Sequence, residues 1–247
     1  MANHAAACLG GRSTLVALSP RVIDLTQPLG PDTVLWPGST PFTAEVRSDR
    51  RTSGSYARDL HLPEHSGTHL DAPSHFAPDG AHAADIPAQR LVAPCAVLDV
   101  RDRCHDDPGF TLEREDVEAL ERRDGPVEPG SAVLLWTGWE DHRGDTRRYL
   151  GGATEAELAF PGFGPSAAEL LVERGAVGLG TDTLGIDPGH ARDFPVHHLA
   201  LGAGLWHLEG LVDLGAVPPR GATLVVGALR LVEGSGTPAR VFALLPE

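Results

Sequence analysis

Glycine and proline set the first limit on this chain: 29 glycines and 21 prolines are spread through 247 residues. Inside a helix a glycine costs about 1 kcal/mol relative to alanine, and a proline about 3 kcal/mol. Long uninterrupted helices are therefore excluded, and with them a helical bundle. Compact apolar runs of strand length occur at residues 95–100, 131–137 and 176–181. Further strands are expected over 22–25, 42–47, 55–61, 222–231 and 240–245. Thr111 reads as the cap of a helix running to about Arg122, with acidic residues in its first turn. Residues 165–174 read as a second helix stopped by Gly175, and a short third one starts at His197 and ends at Gly204. The expected fold is one α/β domain over residues 20–247, a mixed sheet with helices packed on it, behind a loose tail of residues 1–19. Residues 138–164 are too polar and glycine-rich for a core and read as an ordered loop near a site.

Charge narrows the function. With 34 acidic against 20 basic side chains the formal net charge is -14. Clustered Lys and Arg, which bind phosphate backbones and anionic bilayers, are missing, so nucleic acid and membrane surfaces are not expected partners. No apolar run approaches the ~20 residues that span a bilayer. The N-terminus lacks the basic start and apolar centre of a secretory signal. Cys8, Cys95 and Cys104 share no metal-ligand spacing and read as thiols of a reducing compartment. A cytoplasmic protein acting on a small molecule is expected.

The chemistry concentrates in His65-Ser-Gly-Thr-His69-Leu-Asp71-Ala-Pro-Ser-His75. Its four ionisable residues share one sequence parity, so an extended chain turns them to one face. Gly67 lies between the first two histidines on that face and would leave it open for an ion, while Gly67 and Pro73 disfavour a helix. Imidazole nitrogen with carboxylate oxygen suits Zn, Mn or Fe(II), and three protein ligands with an open position mark a catalytic site. A second group is less defined. Residues 194–209 offer a short helix, a glycine turn and a returning strand, which would bring one of His197, His198 and His207 near Glu209.

The eleven-residue motif, with Trp36-Pro-Gly38 and Leu208-Glu-Gly-Leu211, resembles the cyclase-like metal-dependent hydrolase family, whose members include bacterial kynurenine formamidases and isatin hydrolases. The resemblance runs from about Asp24 to the C-terminus. It implies a swivelling β/β/α fold. It implies that His65, His69 and Asp71 bind a first Zn or Mn ion, and that Asp71 bridges to a second held by His197 and Glu209. One or both positions would be filled. His75 would be the catalytic acid/base. A homodimer or homotetramer is implied, with Trp36 lining a substrate site near the subunit interface. The expected activity is hydrolysis of a C–N bond in a small aromatic amide, formamide or cyclic amide by metal-activated water. The alternatives are a metal-dependent cyclase or ring-opening enzyme acting on another carbonyl compound, and a non-catalytic ligand-binding member of the fold. Asp182 and Asp187 follow a predicted strand and read as turn and capping residues, and Trp139 and His142 as possible loop contacts to substrate.

Overall fold

The computed structural model describes residues 20–105 and 107–246. The expected tail of residues 1–19, and Cys8 with it, lies outside the described residues. The described residues form twelve strands: β1 (Arg21–Asp24), β2 (Thr43–Ser48), β3 (Ala57–His61), β4 (His69–Asp71), β5 (Val92–Asp99), β6 (Thr111–Leu112), β7 (Ala132–Trp136), β8 (Gly162–Phe163), β9 (Gly178–Thr181), β10 (Trp206–Glu209), β11 (Ala222–Ala228) and β12 (Gly236–Leu245). Eight of them form one mixed sheet in the order β1-β12-β11-β5-β7-β9-β10-β4. The strand β12 also pairs with β4, through Gly236–Pro238, and this contact closes the sheet into a barrel. The pairs β5–β7, β7–β9 and β9–β10 are parallel, while β1, β4, β11 and β12 join antiparallel. Parallel neighbours need crossovers, and the helices Arg114–Asp124 and Pro165–Glu173 supply two of them.

Alternation along the strands divides the core. Ala96 and Leu98 of β5 and Val133 and Leu135 of β7 pack with Val117, Leu120 and Leu171 of those helices. The intervening Cys95, Val97, Ala132 and Leu134 face the other way and meet Leu70, Trp206, Leu208 and Leu224 inside the closed sheet. Both sets are buried, as in a strand covered on both faces, and successive side chains divide between the two clusters. Burial pushes the free thiols of Cys95 and Cys104 up to about 12, so both are inert packing groups. None of the described helices is long and apolar enough to cross a membrane.

Three local expectations are corrected. Thr111 does not cap a helix, because its backbone pairs with Gly162 in the β6–β8 ladder; the helix begins at Arg114, with the Asp116 carboxylate accepting from Glu113 N at 3.0 Å. Residues 138–164 are not coreless. They bury Trp139, Tyr149, Leu150, Leu158 and Phe160 as a third cluster, and their glycines serve close approach: a Cβ on Gly151 would collide with the Ala159 carbonyl. The strand expected over 222–231 ends at Ala228.

The closing seam constrains Gly236 most directly. A Cβ there would stand 2.5 Å from His65 Cε1 and 2.8 Å from the Leu70 carbonyl oxygen, and the backbone contact cannot yield cheaply. Gly236→Ala is therefore expected to lower stability by about 1–3 kcal/mol, the usual cost of overpacking, and to displace His65. Urea denaturation that leaves the midpoint unchanged would contradict this account of the seam.

Candidate metal centre

Because Leu70 and Leu208 point into the barrel, their neighbours His69, Asp71, His207 and Glu209 point outward. The pairing of β4 with β10 places His207 opposite Asp71 and Glu209 opposite His69. The parity expected across the whole motif holds only within β4. His65 arrives through a turn in which Gly67 takes φ 62°, and His75 through a single 3₁₀ turn opened by Pro73. Gly67 does not open the face to an ion. A Cβ there would meet Leu29 and Thr33, and the residue's contribution is a carbonyl oxygen 3.0 Å from His69 Nδ1. His197 opens a one-turn π-helix, His197–Leu201, on which His198 is exposed.

These elements bring six of the seven predicted residues around one point. Asp71 Oδ1 lies 2.6 Å from His65 Nδ1 and 3.3 Å from His69 Nε2; Asp71 Oδ2 lies 3.5 Å from His197 Nε2. Glu209 spans the two imidazoles, 3.4 Å from His69 Nε2 and 3.3 Å from His197 Nε2. His75 stacks on His65 with ring centroids 4.1 Å apart. The seventh, Trp36, stands above them on the wall of a cavity of about 430 Å³, tilted against Phe194 at 5.8 Å. It lines the cavity of its own chain. Phe76 and Phe160 complete the aromatic wall. Phe194, at φ 47°, holds a conformation that bulky residues rarely adopt.

Each of the three imidazoles nearest Asp71 has its outer nitrogen tied to an acceptor. His197 Nδ1 faces Asp187 Oδ2 at 2.6 Å and His69 Nδ1 faces the Gly67 carbonyl. Ser235 Oγ donates to Glu64 Oε2 at 2.8 Å, so its lone pair accepts from His65 Nε2 at 3.0 Å. Such partners fix the tautomer and aim the remaining nitrogen, as metal-binding histidines require. Here the remaining nitrogens, His65 Nδ1, His69 Nε2 and His197 Nε2, all converge on Asp71. His69 Nε2 is fully buried and lacks a hydrogen-bond partner among the described residues, although two carboxylates lie near it. Donor types, aim and this orphaned nitrogen fit a divalent cation. His69, Asp71 and Glu209 form one ligand set within 4.8 Å, and His65, Asp71 and His75 another.

Sequence reasoning missed the supporting residues. Asp187 has the turn and capping contacts expected of it, accepting from Val196 N and His197 N, but it also orients the His197 ring. Glu64 and Ser235 carry no signal in the sequence, being 171 positions apart. Asp182 is tied to Thr137 and does not line the cavity. Trp139 is buried in the third cluster with His142 against it, away from the cavity.

The family model "Putative cyclase" matches residues 23–188. The isatin hydrolase of Roseibium aggregatum is 31% identical over 100% of this chain and 99% of its own length. The kynurenine formamidase of Bacillus mycoides is 31% identical over 88% and 94%. The chain belongs to the cyclase family. Among solved structures, an isatin hydrolase bound to the product analogue thioisatinate superposes with a TM-score of 0.87 at 30% identity, covering 92% of each chain. Isatin hydrolase A from Ralstonia solanacearum gives 0.87 at 33% identity, again over 92% of each. Within this family the chain is an α/β metal-dependent hydrolase.

The carboxylates leave a mark on the imidazoles beside them. Burial opposes charge on His69, but Asp71 and Glu209 outweigh it and raise the imidazole to about 9; His197 is raised well above its ordinary range against the same opposition. Protons therefore occupy the positions a cation would take. A ligand must shed its proton to bind, so ion affinity should rise with pH up to about 9, with proton release on binding. Calorimetric zinc titration in two buffers of different ionisation enthalpy measures this, and equal heats in both would contradict it.

Proposed function

We propose that the chain hydrolyses the C–N bond of a small cyclic aromatic amide of the isatin type, with His75 as the acid/base. The observation that carries this reading is the convergence of three tethered imidazoles and two carboxylates on the floor of an aromatic-walled cavity. His65, His69 and Asp71 would hold one divalent ion, zinc or manganese, and Asp71, His197 and Glu209 a second. When bound, such an ion sharpens the nucleophilicity of water and polarises a carbonyl. Burial, reinforced by the neighbouring His65, His197 and His69 against the pull of Asp71, brings His75 down to about 4. At neutral pH His75 is therefore the base form. It takes a proton as water oxygen bonds to the amide carbon, then returns that proton to nitrogen as the C–N bond breaks. In a cyclic amide the amine and the new carboxylate remain on one molecule. Trp36, Phe76, Phe160 and Phe194 offer ring faces to a flat substrate.

The isatin-type reading is favoured over the formamide one by the full-length match to an isatin hydrolase and by the segment 138–164, which brings Phe160 and Glu155 to the cavity. Glu155 accepts from the Trp36 indole at 3.3 Å, tying two parts of the wall together. A formyl aromatic amide is the second reading, supported by the formamidase relatives. The setting proposed is a cytoplasmic homodimer or homotetramer. Free buried thiols and the exposed apolar side chains Val46, Tyr56 and Leu60 on and beside the β2–β3 ribbon support it.

Metal-stripped protein reconstituted with zinc or manganese is expected to open isatin faster than it cleaves N-formylkynurenine, followed by the loss of isatin absorbance and the release of formate. The reverse order selects the second reading, and no turnover of either refutes both. His75→Ala should retain bound metal while activity falls about 10²–10⁴-fold, the range for a lost acid/base. Metal loss in that variant would make His75 a ligand instead, which its distance from Asp71 allows.

A further inference from the structure

His207 lies two residues before Glu209 in β10, on the same outward face, directly across from Asp71 in β4. It is 0% exposed, and neither of its ring nitrogens has a hydrogen-bond partner among the described residues. A neutral imidazole always presents one N–H donor and one acceptor. Left unpaired in a buried site, each carries the full penalty of its lost hydration. An apolar residue in the same space would avoid that cost, as Trp206 and Leu208 do on the other face of the strand. The ring is not remote from other polar groups. Its centroid is 5.1 Å from that of His197 at 77°, and a His207 nitrogen, a His197 nitrogen and an Asp71 oxygen lie within 4.8 Å of one another.

We propose that His207 is a further metal ligand, sharing with Asp71, His197 and Glu209 the ion on the Oδ2 side of Asp71. The family resemblance supplies only His197 and Glu209 for that position beside the bridging carboxylate. An added imidazole completes four protein ligands there, and it gives a purpose to a fully buried histidine whose two nitrogens both lack a partner among the described residues. The inference rests on the metal-centre reading proposed above. If a trapped water satisfied His207 instead, removing the imidazole would leave ion binding untouched.

The test uses the full chain, stripped of metal and titrated with zinc and with cobalt(II), with bound ions counted by elemental analysis. In His207→Leu, one ion should bind at least about tenfold more weakly than in the wild type, the lower edge of what losing even a supporting partner costs a metal site. The ion-free variant should melt no lower than ion-free wild type, because two unpaired polar atoms are gone. His207→Cys should regain cobalt binding and show a thiolate-to-cobalt charge-transfer band absent from the wild type. That band reports contact between position 207 and the ion even if the leucine variant fails to fold. Wild-type ion count and affinity in His207→Leu, with no new band in His207→Cys, would overturn the role of His207 alone. A wild-type protein that binds no divalent ion would overturn the metal centre and this inference with it.

Discussion

An ionised carboxylate with 1% of its surface exposed cannot stand without positive charge beside it, and Asp71 is such a group. Its position makes the demand structural as well as chemical. The strand that carries it, β4, is held by β10 on one edge and by β12 on the other, so Asp71 is in register with both His207 and Gly236. Closing the barrel therefore forces a negative charge into a place where, among the described residues, the imidazoles of His65, His69 and His197 lie within 3.5 Å of its oxygens. The surrounding acceptors, Asp187, the Gly67 carbonyl and the Ser235–Glu64 pair, face the outer nitrogens of those rings and keep them turned inward.

The part of this arrangement that could be read from the sequence is the part that is local. The spacing of His69 and Asp71 is that of alternate residues in a strand, and β4 realises it. The apolar runs of β5, β7 and β9 announced themselves because strands covered on both faces need continuous hydrophobicity. His65 and His75 reach the same point by other means, a left-handed turn at Gly67 and a 3₁₀ turn at Pro73–His75, which parity does not describe. The family resemblance, carried by a few residue types at fixed spacing, supplied the likeness to hydrolases that strand patterns could not.

What stayed hidden depends on distance along the chain. The pairing of Gly236 with Asp71 and the bond between Ser235 and Glu64 each join residues far apart in sequence, and no local pattern encodes them. The segment 138–164 lies beside the cavity as expected, but its buried cluster is hidden for a different reason. Its composition is that of a loop, yet glycines 151 and 152 let the chain fold tightly enough on itself to bury Tyr149, Leu150 and Phe160. Thr111 has the residue type of a cap, but a ladder to Gly162 claims the backbone that a cap would use.

The cavity is assembled from two kinds of parts. The charged floor comes largely from β4 and β10, inside the barrel's hydrogen-bonded frame, whereas Trp36, Phe76, Phe160 and Phe194 descend from four separate connecting segments. The floor is thus locked to the integrity of the whole sheet, and a change there is felt by the fold. The walls answer to no such discipline. Loop residues can be exchanged one at a time without disturbing the balance of charge beneath them, so a lineage built on this plan is free to wander among flat substrates while its reactive machinery stands still.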